Sequence, residues 1–468
     1  MSQSSQFIST RGEAPQTGFA DVLLAGLAPD GGLYVPAAWP QFSAAEIAAF
    51  SGKRYQDVAF AILSRFVGDS FTAAELKEDI EAAYAGFTNA EIAPLSAMSG
   101  NRYLLELFHG PTFAFKDIAL QILGRLFSRA LTRRGGKATI VAATSGDTGS
   151  AAIAALGGLP NIEVFVLHPK GRVSEVQRRQ MTTSGHANVH NIALEGSFDD
   201  AQGIVKGLFA EKEFAREISL TAVNSINFVR IAAQSVYYFT ATAALGKPAT
   251  FIVPTGNFGD IFAGYVAKQM GLPVERLVIA TNVNDILART LDSGRYEVRG
   301  VVATESPAMD IQVSSNFERL LFDVYGRDAG AIKKIMGELS SGGFAIAEKP
   351  LKAIHAVFDA GRADEAETLA TICTVHQESG YLLDPHSAVG VAIARKRKVK
   401  TPYVALGTAH PAKFPDAVEK ACGIRPALPP RFKDLTARKE RFDVLPADLN
   451  AVARYVSERS RVGEGAQA

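Results

Sequence analysis

The chain has 468 residues, 47% hydrophobic and 21% charged, with a formal net charge of +1. That length exceeds one hydrophobic core, so two or three domains are expected, and the balanced charge leaves no electrostatic footprint for nucleic acid or an acidic membrane. Two cysteines, Cys373 and Cys422, make no disulfide framework, no basic-then-apolar leader opens the chain, and no run of about 18 apolar residues spans a bilayer; a cytoplasmic protein is expected.

Phe7–Thr10 reads as a short strand, Phe19, Val22, Leu23 and Leu27 as one face of a helix, and Ala28-Pro29-Asp30-Gly31-Gly32 as a turn before an extended Leu33–Pro36. Helical patterns follow over Ala44–Phe50, Tyr55–Phe66 and Thr72–Tyr84, so residues 1–95 are expected to form a mainly helical N-terminal domain without convergent catalytic groups. A core over 96–425 begins with the strand Tyr103–Leu107 and the segment His109-Gly110-Pro111-Thr112-Phe113-Ala114-Phe115-Lys116-Asp117. Gly-Pro turns the chain there, and Ile118, Ile122, Leu126 and Ala130 mark a helix, with Asp117 as its cap or first-turn acid. Lys116 then sits between phenylalanines at the positive end of a buried helix, and both settings disfavour its ammonium form. A neutral lysine is the nucleophile that makes Schiff bases; the alternative is a loop lysine reaching solvent.

The buried strand Ala138–Ala143 runs into Thr144-Ser145-Gly146-Asp147-Thr148-Gly149, then the helix Ala151–Leu156 and the strand Ile162–Leu167, a βαβ unit. Helix Val173–Thr182, strand Val189–Ala193 and helix Phe198–Phe209 continue a small subdomain placed at roughly 138–235. The helix Asn227–Ala244 is long enough to cross between domains. Strand Thr250–Pro254, the turn Thr255–Asp260, helix Ile261–Met270 and strand Leu277–Asn282 repeat the same logic. Helix Thr368–Ser379, the turn Leu383–His386, helix Ala388–Lys396 and strand Pro402–Leu406 lead to Gly407-Thr408-Ala409-His410-Pro411. A proline-rich, basic stretch from Ala427 opens what is expected to be a peripheral C-terminal extension, 426–468.

Polar, glycine-containing turns thus close several strands of a parallel sheet, where ligands of open α/β sheets bind. Gly256-Asn257-Phe258-Gly259 precedes a helix, so its backbone N–H groups suit a phosphate, although a plain structural turn has the same composition. No Gly-Lys-Ser/Thr follows and the Gly-x-Gly-x-x-Gly spacing is missing, which excludes a Walker loop and disfavours NAD. Ser145–Gly149 is a second anion nest or a helix cap. His186 and His190 have helical metal-ligand spacing, but Gly185 and Asn188 oppose a helix and no third ligand is visible, so no metal is expected. A Schiff-base lysine with two anion nests on a parallel sheet points to pyridoxal phosphate holding an amino acid.

Ile8-Ser9-Thr10-Arg11-Gly12, Leu27 to Pro36, His109 to Asp117, Thr144 to Gly149, Asn224-Ser225-Ile226-Asn227, Pro254 to Asp260, Ser315-Asn316-Phe317-Glu318-Arg319 and Thr408 to Phe414 stand in order along the chain. With them the whole chain resembles the threonine synthases of the longer type, within the tryptophan-synthase-β-like, fold type II pyridoxal phosphate enzymes; Phe113 and Gln312 lie where that family is expected to vary. The resemblance implies an α/β fold with two open, mostly parallel sheet domains and the helical N-terminal domain. It implies pyridoxal 5'-phosphate as cofactor, held covalently by Lys116, with its phosphate on Gly256, Asn257, Phe258, Gly259 and Asp260. Thr408 would meet the pyridine nitrogen, and His410 would orient the Thr408 loop or serve only as structure. Thr144, Ser145, Asp147 and Thr148 would surround the substrate's amino acid end, and Ser315, Asn316, Arg319 and Lys413 its phosphate. The implied reaction turns O-phospho-L-homoserine and water into L-threonine and phosphate, a step of threonine biosynthesis, in a monomer or homodimer without nucleic acid or membrane partners. A phospho-lyase releasing 2-oxobutyrate, a serine/threonine dehydratase and an inert regulatory paralogue are the rivals.

Overall fold

Two parallel sheets carry the fold, each within its own unit of contacts. The computed structural model describes residues 6–221, 225–398 and 400–461, so Asn224 of the Asn224–Asn227 motif lies outside the described residues. The first unit comprises Met1–Val22, Leu27–Ala119 and Ser225–Ala427. Its six-stranded sheet runs in the order Phe358–Arg362, Val274–Thr281, Ala249–Pro254, Tyr403–Gly407, Arg102–Glu106, Leu95–Ala97. All neighbours are parallel except the last pair, which closes the sheet with an antiparallel edge. Ala249–Pro254 is buried at every position, which is why it reads as a continuous apolar run rather than an alternating one.

Register sets the location of the site. Gly407 pairs with Glu106, and Ala405 with Ile252, so the loops following Glu106, Pro254 and Gly407 leave the sheet side by side at one carboxyl edge. The helix expected over Asn227–Ala244 forms as Phe228–Leu245, with the Asn227 side chain accepting from Val229 N at 3.0 Å. It does not cross between units: it lies wholly in the first and is buried continuously from Phe228 to Phe239. Near the N-terminus, Phe7–Ser9 pairs antiparallel with Tyr34–Pro36, followed by the helices Tyr55–Val67 and Ala73–Tyr84, the latter started by a Thr72/Glu75 capping box.

The second unit comprises Leu23–Gly26, Leu120–Asn224 and Leu428–Ala468. Its five strands are all parallel, in the order Asp443–Pro446, Val189–Glu195, Ile162–Pro169, Ala138–Ala143, Leu220–Thr221. The C-terminal stretch is therefore not peripheral. Asp443–Pro446 adds an edge strand beside Val189–Glu195, and the helix Leu449–Arg459 puts Val452 and Val456 into the core that holds Phe165, Leu194 and Leu208. Its charged residues serve this docking: Glu440 pairs with Arg178 at 2.9 Å, and Arg441 donates to the carbonyls of His186 and Val189. A short helix with three buried side chains, behind a proline-rich approach, gives too weak an apolar period to announce this role. No helix among the described residues is long and apolar enough to cross a membrane.

If the C-terminal helix is core, Val456→Ala removes buried methyl groups and leaves a cavity. The expected cost is about 2 kcal/mol, read as a lower denaturation midpoint in urea. A surface extension would lose a few tenths of that figure at most.

Candidate active site

Lys116 is the first residue of the helix Lys116–Arg133 and is 8% exposed, with its Nζ 4.9 Å from the centre of the Phe115 ring. The turn before it is locked by Asp117, whose carboxylate accepts from Thr112 N and Thr112 Oγ1, both at 2.7 Å. Gly110 makes room for that carboxylate, since a Cβ there would lie 2.4 Å from Asp117 Cβ. Burial pushes the Asp117 carboxyl up, and the nearby Lys413 ammonium opposes that rise. Lys413 is fully buried and donates to the Thr112 carbonyl at 3.0 Å. It braces the Lys116 turn from inside, where sequence alone suggested a substrate contact.

The Lys116 loop is hydrogen-bonded to the Thr408 loop. Phe115 N donates to Thr408 O at 2.8 Å, His410 N donates to Phe113 O at 3.1 Å, and Ala114 and Ala409 form an antiparallel bridge between them. Thr408 N is oriented by Ser387 Oγ at 2.9 Å, and Ser387 in turn donates to Asp384. The Thr408 hydroxyl oxygen is buried and has no hydrogen-bond partner among the described residues. An orphaned buried hydroxyl costs about 1–3 kcal/mol unless a ligand satisfies it. His410 Nδ1 accepts from Ala412 N at 3.2 Å, and burial pushes the imidazole's pKa down, so the ring is a neutral cap on the loop. Asp384 and Ser387 escaped the sequence reading. The available signal was Asp-Pro at a helix start, which read only as a turn.

On the neighbouring strand end, Phe258 adopts φ +63° and starts the helix Gly259–Gln269. Gly256 is obligatory, because a Cβ would lie 2.6 Å from the Ala308 carbonyl oxygen. The Gly256 carbonyl accepts from Ser314 Oγ at 2.8 Å, and the Asn257 carbonyl from Asn316 N at 3.1 Å and Asn316 Nδ2 at 3.0 Å. The N–H groups of Gly256, Asn257, Phe258 and Gly259 have no acceptor among the described residues. Free amides at a helix start form an anion cradle. Below it, Asp260 is buried, takes the hydroxyls of Tyr237 and Tyr238 on Oδ1, and leaves Oδ2 without a partner among the described residues.

Asn316 and Arg319 do not offer their polar groups to a substrate. Arg319 is fully buried and donates to Tyr34 O at 2.9 Å, to Ile226 O at 2.5 Å and to Asn316 Oδ1. Ser315 remains half-buried beside them. A cation that sequence reasoning missed is Arg230, in the first turn of Phe228–Leu245. It is 4% exposed, its Nε has no partner, and no hydrogen bond or ion pair holds its guanidinium among the described residues. Burial pushes its pKa down to about 10. The adjacent Ile231 lies against the cradle, since a Cβ on Gly259 would come within 3.7 Å of Ile231 Cδ1. The signal was an arginine at the positive end of a helix dipole, where a cation is misplaced unless an anion joins it.

In the second unit, Thr144 Oγ1 accepts from Gly146 N and Gly149 N, both at 2.9 Å, and Asp147 accepts from Gln177 Nε2 at 2.8 Å. Those two side chains shape their loop, whereas Ser145 is exposed and Thr148 half-buried. His190 lies on a strand, bonded to Glu163 and stacked on Phe165, and no cluster of metal-ligating side chains occurs among the described residues.

Together, a buried lysine, an unsatisfied hydroxyl and a row of free amides on adjacent strand ends fit a ligand with a ring-nitrogen acceptor and a phosphate, which is the donor set for pyridoxal 5'-phosphate. Family models agree in kind: "Threonine synthase N terminus" matches residues 6–84, "Pyridoxal-phosphate dependent enzyme" 88–406, and "Threonine synthase, C-terminal" 387–456. The threonine synthase of Pseudomonas aeruginosa is 50% identical over 466 residues, 98% of this chain and 99% of that one. The chain belongs to the threonine synthase family. Members of that family are pyridoxal-phosphate-dependent lyases, and this chain is one. Among solved structures, the PLP-bound threonine synthase from Brucella melitensis is similar with a TM-score of 0.96 and 57% identity, covering 98% of this chain and 100% of that one. The threonine synthase from yeast gives a TM-score of 0.93 and 40% identity, covering 97% and 99%.

The Asp260 carboxyl gives a pH test. Burial raises it from 3.8 to about 6, against the pull of the two tyrosine hydroxyls. The folded state thus holds this proton more tightly than the unfolded state, so its stabilising contribution is full below 3.8 and lost as pH rises through about 6. Asp260→Asn in the apoprotein is expected to abolish a stability change of about 3 kcal/mol across that window, followed by urea unfolding at successive pH values.

Proposed function

We propose that this member of the threonine synthase family converts O-phospho-L-homoserine and water into L-threonine and phosphate, in the cytoplasm, as a monomer or homodimer. One observation carries the reading: the Lys116 loop is paired to a loop whose Thr408 hydroxyl is orphaned, beside the free amides of Gly256–Gly259. Lys116 would hold pyridoxal phosphate covalently, Gly256, Asn257, Phe258 and Gly259 its phosphate with Asp260 closing the turn, and Thr408 its ring nitrogen. The bound cofactor supplies an electron sink that acidifies the substrate's α-carbon.

Freed by the substrate amine, the Lys116 amine is the general base that takes the α-proton and then a β-proton. It sits 8% exposed at a helix N-terminus, with its Nζ over the Phe115 ring. Phosphate departs from Cγ, water adds at Cβ, and protons return from Lys116, so atoms balance to threonine. The departing phosphate requires a cation that is not already spent. Arg230 meets that requirement and Ser315 supplies a hydroxyl, while Lys413, Arg319 and Asn316 shape the surroundings. Ser145 and Thr148 bind the amino acid end, in a loop shaped by Thr144 and Asp147. The working division is 1–95, 96–425 with a smaller part at roughly 138–235, and 426–468; the family-model spans 6–84 and 88–406 support its first boundary.

Incubation with O-phosphohomoserine is expected to yield threonine and phosphate in equal amounts. Oxobutyrate as the sole organic product would instead assign a phospho-lyase, and no turnover an inert paralogue. Lys116→Ala should lose both the bound cofactor's absorption band and all threonine formation while keeping the far-ultraviolet circular dichroism of the native protein. For Arg230→Gln the expected effect is a rise of about tenfold to a hundredfold in KM for O-phosphohomoserine, the value of one to two charge-assisted hydrogen bonds. An unchanged KM would remove Arg230 from the site.

A further inference from the structure

Several motifs singled out in the sequence find no work in the chemistry above, and they meet in one place. The segment Ser314–Arg319 lies behind the Gly256–Gly259 cradle, joined to it by three hydrogen bonds: Ser314 Oγ to Gly256 O, and Asn316 N and Nδ2 to Asn257 O. Asn316 Nδ2 also donates to Ser225 O at 3.1 Å, tying the start of the Arg230 helix to the same carboxamide. Asn316 Oδ1 is held by Arg319, whose guanidinium is fixed on the Tyr34 and Ile226 carbonyls. Next to it, Glu318 accepts from Thr10 Oγ1 at 2.5 Å and from Arg11 Nη2 at 3.2 Å. The paired strands Phe7–Ser9 and Tyr34–Pro36 thus grip this segment through Thr10, Arg11 and Tyr34.

A peptide group that turns its carbonyl one way turns its N–H the other. By drawing the Gly256 and Asn257 carbonyls backwards, Ser314 and Asn316 aim the following amides forwards, where they meet no acceptor among the described residues. We infer that Asn316, held by Arg319 against the Tyr34 carbonyl, is a positioning residue that orients the cofactor-phosphate cradle, and that the N-terminal strand pair is the foundation of that cradle. Asn316 touches neither substrate nor cofactor. It acts through the Asn257 peptide, and its loss is felt by the phosphate of the cofactor rather than by the ring. The inference rests on the reading that Gly256–Gly259 hold that phosphate.

The test separates the two. Apoprotein of the full chain is titrated with pyridoxal 5'-phosphate and, separately, with pyridoxal, which has the ring and aldehyde but no phosphate; formation of the lysine-bound chromophore is read by absorbance. Asn316→Ala, and Asn316→Asp, which keeps an acceptor for Arg319 while deleting the donor to Asn257, are each expected to bind pyridoxal phosphate about tenfold more weakly, with pyridoxal binding unchanged. Gly256→Ala, which intrudes on the cradle itself, is expected to show the same selectivity. Equal losses for both ligands in the Asn316 variants would mark a merely structural residue and overturn the inference, as would unchanged binding of both. A phosphate-selective loss in Gly256→Ala but not at Asn316 overturns the positioning role alone. No selective loss in any variant removes the cradle reading, and the inference falls with it.

Discussion

A backbone carbonyl can be turned only one way, and the site depends on that restriction. At the end of Ala249–Pro254 the carbonyls of Gly256 and Asn257 are taken up by Ser314 and Asn316, so the amides of the same turn are left to face a ligand. At the end of Tyr403–Gly407 the Thr408 carbonyl and amide are taken by Phe115 N and Ser387 Oγ, so only the hydroxyl is left over. In the first case a row of amides, and in the second one hydroxyl oxygen, is left without a partner among the described residues. Parallel register then places the two results on neighbouring strands, with the lysine loop paired to one of them. No long-range field is required; local satisfaction and sheet register suffice.

Buried charge is distributed by the same logic. Asp117 and Lys413 share the inside of the lysine turn, Asp260 is served by two tyrosines, and Arg319 is spent on carbonyls and a carboxamide. Each is a charge that would be expensive in the interior without such partners. Arg230 breaks the pattern, since no hydrogen bond or ion pair holds its guanidinium among the described residues.

Much of this was legible in the chain. Continuous apolar strands, the Gly-Pro turn before Lys116 and the Gly-Asn-Phe-Gly turn are local signals, and local signals survive without tertiary information. Roles that depend on burial were not legible. Arg319, Asn316 and Lys413 have the side-chain chemistry of anion ligands, but Arg319 donates to Tyr34, Asn316 to Asn257 and Lys413 to Thr112, each remote in sequence. Arg230 inverts the error, because an arginine inside an apolar helix reads as an ordinary flanking residue until its lack of a partner is seen. The C-terminal strand and helix failed for another reason: four strand residues and one amphipathic helix after a proline-rich stretch have no periodicity strong enough to reveal which sheet they join.

That last feature bears on how the chain is made. The second unit draws together Leu23–Gly26, a central block and Leu428–Ala468, and its edge strand and one wall of its core come from the last of these. Synthesis proceeds from the N-terminus, so the Val189–Glu195 edge and the apolar face awaiting Val452 and Val456 stay uncovered until Asp443–Arg459 has been made. Closure of this unit therefore waits on a segment made long after the strand it covers, and that interval is when the nascent protein most needs protection from pairing with a neighbour.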